Sequence, residues 1–351
     1  MTNLEARAEV IKLARELLVE PGELRFLEDA APEAIRTFRK DVHRRLDAPH
    51  RPMFQRLARV SALVPGPLAV RIAMRFYGPM FVGMVATEVP PERAVGLIGH
   101  VPTQFLADAT PYVDPDAAGP ILHGLPTETM IPTMLELLRR KDYVTLARFV
   151  AAASDELIFE VLPHIESGED LLLIGFNAEV ADVAGRFDTI LGALPPDRLR
   201  SLVQAAVDTD RFVETLTILQ FLRAPTLTRI ADTTADMGPQ VMTALVEAAH
   251  RENAWAELIP VAAAMSGDRL EKFAALDVWT EEALTGVVRA AASHDLWAEF
   301  VPLAAATPDE RLRILAELPV WHEIDSAPLL SAIEAADAQA DLAVLVSALP
   351  R

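Results

Sequence analysis

Residues 245–279, LVEAAHRENAWAELIPVAAAMSGDRLEKFAALDVW, lie over residues 287–321, VVRAAASHDLWAEFVPLAAATPDERLRILAELPVW, without a gap at a spacing of 42. Trp255 falls on Trp297 and Trp279 on Trp321, so all four tryptophans of the chain are in register. The WAE triplets coincide, as do Pro260 with Pro302 and Ala262–Ala264 with Ala304–Ala306. A period near 42 is the size of a HEAT or armadillo unit of two or three helices. Such a unit cannot bury its apolar face alone, so neighbours stack into a continuous core. The expected fold is all-α: a right-handed α-solenoid, a HEAT/armadillo-like superhelix, with a helical N-terminal cap. Trp255, Trp279, Trp297 and Trp321 are read as repeat anchors packed between helices, because stacked cores need a large aromatic at each recurrence.

The template extends in both directions. Residues 202–212, LVQAAVDTDRF, match 245–255 with Phe212 in the Trp255 place. Residues 329–342, LLSAIEAADAQADL, match 284–297 with Leu342 in the Trp297 place. Residues 135–163 keep the same cadence with a short gap. A second rhythm precedes these units. VPPERAVGLIGH, VPTQFLADATPY, VDPDAAGPILHG and LPTETMIPTMLE begin at Val89, Val101, Val113 and Leu125, twelve apart each time. Proline early in each phrase suits a helix start, where its missing N–H is not needed, so a staircase of roughly two-turn helices is expected. Three regions follow: a basic and apolar helical region at 1–88, short-helix repeats at 89–136, and longer repeats at 137–351.

Phrases such as VPPERAVGLIGHVP and LPPDRLRSLVQAAV resemble the helical superhelix of the intracellular N-domain of MgtE magnesium transporters. That fold is similar to the armadillo-like middle region of flagellar motor switch proteins. The resemblance covers about residues 85–225 and implies a helical-repeat fold. The paired regulatory domains and membrane bundle of the transporter have no counterpart here, so channel activity is not implied. Its magnesium-sensing carboxylates do not map onto this sequence.

Composition narrows the function classes. The 351 residues carry 32 Lys+Arg against 51 Asp+Glu, a net charge of −19, which argues against nucleic acid as a partner because phosphates call for clustered cations. No Cys is present, which excludes disulfides, thiolate metal sites and Cys nucleophiles. The first twenty residues mix both signs of charge and lack the apolar run of a secretory signal, so a cytoplasmic protein is expected, with membrane association as the alternative. Four Lys beside many Arg and Ala suggest a bacterial source of high GC content.

Charge is uneven along the chain. Residues 1–88 carry 14 Lys+Arg against 11 Asp+Glu, and residues 89–351 carry 18 against 40. Within 34–75 there are ten cations and two acids. In AIRTFRKDVHRRL, Ile35, Phe38, Val42 and Leu46 fall on one helical stripe, with Arg36, Arg39, Lys40, Arg44 and Arg45 around it. Residues 60–89 are the most apolar stretch, but Arg71 and Arg75 interrupt it and Pro65, Gly66 and Pro67 break it. A membrane span needs about 20 apolar residues in succession, so two readings stand instead. One is a basic helix and two buried helices that cap the solenoid, with the cations pairing the acidic body. The other is a basic amphipathic helix and an apolar hairpin that dock on an anionic membrane. Arg36, Arg39, Lys40, Arg44, Arg45, Arg71, Arg75, Phe76 and Phe81 form the candidate membrane or partner surface.

Enzyme motifs are missing: no G-x-S-x-G, no P-loop and no G-x-G-x-x-G. No catalytic residue, cofactor site or metal site is assigned. His100 and His123 close two of the twelve-residue phrases, where imidazolium suits a helix C-terminus. The carboxylate pairs Asp114/Asp116, Asp208/Asp210 and Asp232/Asp236 are expected at helix starts for the same electrostatic reason. The leading functional reading is a non-catalytic binding or scaffold protein whose acidic concave surface takes a basic protein partner. One alternative is a peripheral membrane or lipid-surface protein docking through residues 34–88. Another is a small-molecule binder or enzyme with a pocket between the N-terminal region and the first repeats. That last reading gains if His100, His123, Arg71 or Arg75 gather around one apolar cavity.

Overall fold

The structure is a computed structural model and describes residues 4–17, 19–47, 51–61, 63–150, 152–178 and 180–349. All regular structure among these residues is helical, with no strand. The chain forms two compact units, one spanning Glu5–Val183 and the other beginning at Ala184.

In the second unit the 42-residue period becomes a trio of helices. Pro239–Glu252, Trp255–Ala263 and Arg269–Ala274 are followed by Glu281–His294, Trp297–Ala305 and Asp309–Ala316. The first helix of each trio ends on a residue with left-handed backbone: Asn253 at φ 53° and Asp295 at φ 55°. Asp210 and Asp337 hold the same conformation one unit before and one after. Asn and Asp enter this region more readily than other residues with a Cβ. The next N–H then reaches back five residues, Ala254 to the Ala249 carbonyl at 2.8 Å and Leu296 to Ala291 at 3.0 Å. This bond satisfies a carbonyl that the helix end would otherwise orphan. After Asp337 the last helix starts late, at Ala343. The spacing is therefore 42 at the cap and 45 at Leu342, whose side chain is fully buried.

The tryptophans pair within each unit. Ring centroids of Trp255 and Trp279 lie 6.1 Å apart, and those of Trp297 and Trp321 lie 6.4 Å apart. The indole N–H of Trp279 donates to the Phe273 carbonyl at 3.0 Å, and that of Trp321 to the Leu315 carbonyl at 2.7 Å. These are equivalent bonds 42 residues apart. A Cβ at Gly286 would overlap the Trp255 indole, so glycine is what admits that ring.

A second device joins successive helical units. Arg311 donates to the Ala274 carbonyl at 2.5 Å, Arg229 to the carbonyls of Gly192 and Leu194, and Arg148 to Pro111 at 2.9 Å. Each arginine reaches back 35 to 37 residues to backbone oxygens that close the preceding unit. Several acids expected at helix starts serve the same joints instead. Asp232 accepts from the Ser266 N–H at 2.7 Å, and Asp236 takes two bonds from Arg269 at 2.8 and 3.0 Å. Both lie in or at the end of Ala224–Asp236, because a cationic or hydroxyl partner on the next unit outweighs the gain at a helix N-terminus.

In the first unit, helices begin at Pro91, Thr103, Pro115 and Thr127, twelve residues apart. Alternate helices pack: Pro91–Ile98 on Pro115–Gly124, and Thr103–Ala109 on Thr127–Arg139. Pro90, Pro102 and Pro126 sit at the cap position with extended backbone. Glu136 accepts from Arg139 and from Arg140, each at 2.8 Å, and Arg140 also reaches Asp108 at 2.5 Å. Hydrogen bonds from Arg139 and then Arg140 lower the Glu136 pKa from 4.5 to about 2. The unfolded chain therefore takes up this proton first, and the unfolded state binds more protons between those values. Stability from this group is complete above about pH 4.5 and is lost as pH falls through about 2. Carboxyl-carbon NMR is expected to show Glu136 titrating near the lower value. Arg139→Gln with Arg140→Gln is expected to return it toward the ordinary one.

Candidate functional site

The helix Pro32–Asp47 does not present the stripe that its sequence suggests. Ile35 is buried, but Phe38 is 54% exposed and Arg39 only 6%. The reason is Glu9, itself 2% exposed, which draws the cations inward. Its carboxylate accepts from Arg36 Nη2 and Arg39 Nη2, both at 3.3 Å, and from Lys12 Nζ at 3.4 Å. Lys12 also lies over the Phe176 ring, 5.2 Å from its centroid. Arg36 and Arg39 are thus withdrawn from the candidate surface. Lys40 is exposed, and the side chains of Arg44 and Arg45 lie outside the described residues.

The surface moves instead to residues 51–86. Among the described residues, half of the exposed large apolar side chains fall within 53–80: Met53, Val60, Leu63, Leu68, Ile72, Phe76, Tyr77 and Met80. Leu63 is 85% exposed and Phe76 77%. Leu68, Ile72 and Phe76 recur at intervals of four and so share one helical face. Arg71 and Arg75 occupy the adjoining stripe. Arg56, Arg59, Arg71 and Arg75 are all exposed, and none makes an ion pair with a described residue. Exposed apolar surface on this scale, rimmed by charge, marks an interaction site rather than ordinary surface scatter.

The local backbone follows from the sequence. Pro65 caps the helix Gly66–Ile72, and Arg93 Nη2 donates to the Val64 carbonyl at 2.7 Å, holding the loop that carries Leu63. Residues Ala73–Tyr77 continue as a π turn, with the Gly78 N–H donating to the Ala73 carbonyl. Gly78 then leaves helical space at φ 75°, ψ 172°, and Pro79 opens the helix Gly78–Ala86. Gly66–Ala86 is long and apolar enough by composition to cross a membrane. The break at Gly78 divides it into pieces of 12 and 9 residues, each shorter than the roughly 20 residues a helical span requires.

Behind this face lies an apolar cavity of about 470 Å³, built from the helices between Leu57 and Leu157. Among the described residues no charged side chain lines it, and its polar lining is Tyr77, Thr110, Thr129 and Thr133. The hydroxyls of Thr110 and Thr133 donate to the carbonyls of Leu106 and Thr129 at 2.7 and 2.9 Å, so those protons are spent within their own helices. Phe81 lies inside, stacked on Tyr77 at 4.9 Å and edge-on to Phe54 at 5.4 Å. Among the described lining residues, only Val60, Ile72 and Tyr77 are exposed. These three therefore mark the mouth, and all belong to the exposed apolar face.

Sequence reasoning placed apolar and basic residues here but did not find the mouth, which depends on the π turn and on helices far along the chain. His100, His123, Arg71 and Arg75 do not line the cavity. His123 bonds the Gly119 carbonyl of its own last turn at 2.7 Å. Among the described residues no group of three or more His, Asp or Glu could hold a metal ion. No family model matches the chain, and no curated protein or solved structure does.

Proposed function

We propose that this protein is a non-catalytic peripheral membrane protein that docks on an anionic bilayer surface through residues 51–86. The supporting observation is the exposed apolar face of Leu63, Leu68, Ile72 and Phe76 beside four unpaired arginines, on a chain whose net charge is −19. Free cations gathered at an apolar face suit the boundary between anionic headgroups and acyl chains, where arginine stems lie along apolar surface and the guanidinium stays wet. Each cation near such a surface contributes about 1 kcal/mol.

Co-sedimentation of the full chain with phosphatidylglycerol vesicles tests this directly. Binding is expected at low salt and is expected to be weak on phosphatidylcholine. Arg71→Gln with Arg75→Gln removes about 2 kcal/mol, roughly a 30-fold loss in partitioning. Equal binding to both lipids, or to neither, rejects the proposal. Resistance to an alkaline carbonate wash would replace docking with a spanning helix.

The repeat unit supports a companion reading. Residues 184–351 carry 13 Lys+Arg against 25 Asp+Glu, and several of those cations are committed to joints, as in Arg251–Asp210, Arg269–Asp236 and Arg289–Glu323. The remaining acidic surface suits a basic protein partner. We further propose that these units wind as a right-handed HEAT/armadillo-like solenoid, akin to the MgtE N-domain. The recurring left-handed caps and back-reaching arginines support that reading.

A further inference from the structure

The cavity behind residues 51–86 has a chemistry of its own. Among the described residues its walls are aliphatic and aromatic, no charged side chain lines it, and two of its three threonines spend their hydroxyl protons on backbone. Small-molecule pockets ordinarily pair apolar walls with a few convergent polar groups that fix orientation. Without them, a ligand cannot be held by a buried headgroup. Its polar end must stay outside while its apolar part goes in.

The mouth says where that polar end sits. Val60, Ile72 and Tyr77 are both exposed and lining, and Arg71 and Arg75 stand on the neighbouring stripe of the same helical segment. The π turn matters here. It closes a ring from Ala73 to the Gly78 N–H, and its wider winding brings Ile72 and Tyr77, five residues apart, toward one side. An anionic head at this rim would face guanidinium groups while its chain lies inside.

Size fixes the class. A methylene takes about the room of a water in the liquid, roughly 30 Å³. A cavity of about 470 Å³ then holds a chain on the order of fifteen carbons. We infer that the cavity takes one acyl chain of an anionic bilayer lipid, entering at Val60, Ile72 and Tyr77, with the headgroup left at Arg71 and Arg75. The inference rests on the docking face for its choice of a bilayer lipid over a free fatty acid. The chain site itself stands on cavity shape and lining.

The test uses the full chain and cis-parinaric acid as a fluorescent probe, displaced by caprylate, laurate, myristate and palmitate. Each added methylene is expected to tighten binding about threefold to fourfold, levelling off near the palmitate length. Displacement independent of chain length, or none at all, overturns the chain site. Thr129→Trp, which lines the cavity outside residues 51–86, is expected to abolish probe binding while vesicle co-sedimentation persists. Ala86→Phe inside the cavity is expected to shift the optimum to shorter chains, and a matching thermal midpoint shows that it folds. Arg71→Gln with Arg75→Gln is expected to lose vesicle binding and to weaken the probe by the same factor at every chain length, so failures of docking and of the chain site are distinguishable. Native mass spectrometry after incubation with phosphatidylglycerol vesicles is expected to show one phospholipid per chain. Recovery of free fatty acid alone would overturn the bilayer source.

Discussion

Trp321→Ala is expected to cost about 3–5 kcal/mol of stability, the range for deleting a large buried aromatic side chain. Trp321 is 2% exposed, its ring stacks on Trp297, and its N–H satisfies the Leu315 carbonyl. Truncation therefore removes packing and also one hydrogen bond to the Leu315 carbonyl, which accepts from the Leu318 N–H at 3.4 Å as well. Urea unfolding followed by tryptophan fluorescence and by circular dichroism would read the loss. Trp321→Phe keeps a six-membered ring in the site and loses the N–H, and its hydrogen-bond share of the cost is expected at about 0.5–1.5 kcal/mol. A change below about 1 kcal/mol for the alanine variant would show that the indole is not the anchor of its unit.

Glu9→Ala is expected to be as damaging, about 3–5 kcal/mol, by a different route. The carboxylate is buried and faces Arg36, Arg39 and Lys12 within 3.4 Å. Removing one member of a buried ionic group leaves the opposite charges uncompensated, which costs far more than the intact group contributes. Glu9→Gln retains shape and one acceptor but no charge, and is expected to recover only part of the loss. Hydrogen exchange would locate the damage in the helices Leu4–Leu17 and Pro32–Asp47. Protection unchanged there would show that the cluster is not what turns Arg39 inward.

The sequence showed the architecture more fully than the site, and the two cases differ for a physical reason. A repeat writes the same packing problem several times, so the Trp255/Trp297 and Trp279/Trp321 coincidences carry the trio of helices with them. The twelve-residue phrases also read through, because proline at Pro90, Pro102 and Pro126 interrupts helices wherever it stands. The left-handed caps at Asp210, Asn253, Asp295 and Asp337 had a visible signal, an Asp or Asn recurring with the aromatic two places later in the first three. The arginines that reach back to the preceding unit had none, since an exposed and a pinned arginine look alike in a string.

The helix Pro32–Asp47 shows the limit most clearly. Its apolar periodicity put Phe38 inside, yet one buried carboxylate on another helix rotated the face by about a residue and buried Arg39 instead. Amphipathic patterning weighs a helix against a uniform interior and does not see a charge in that interior. The cavity mouth was hidden for a similar reason. Residues 60, 72 and 77 are unremarkable as letters, and their shared role arises from a π turn and from helices as distant as Leu157.

The left-handed caps also bear on how such a chain can change its length. A turn of the same backbone form closes the first helix of each unit at Asp210, Asn253, Asp295 and Asp337. Cutting at one cap and rejoining at the next removes a whole trio while each side still meets the neighbour geometry it was built for. Unequal recombination between such joints would lengthen or shorten the array in complete units. The unit closed at Asp337, with its extra residues before Ala343, does not fit that exchange.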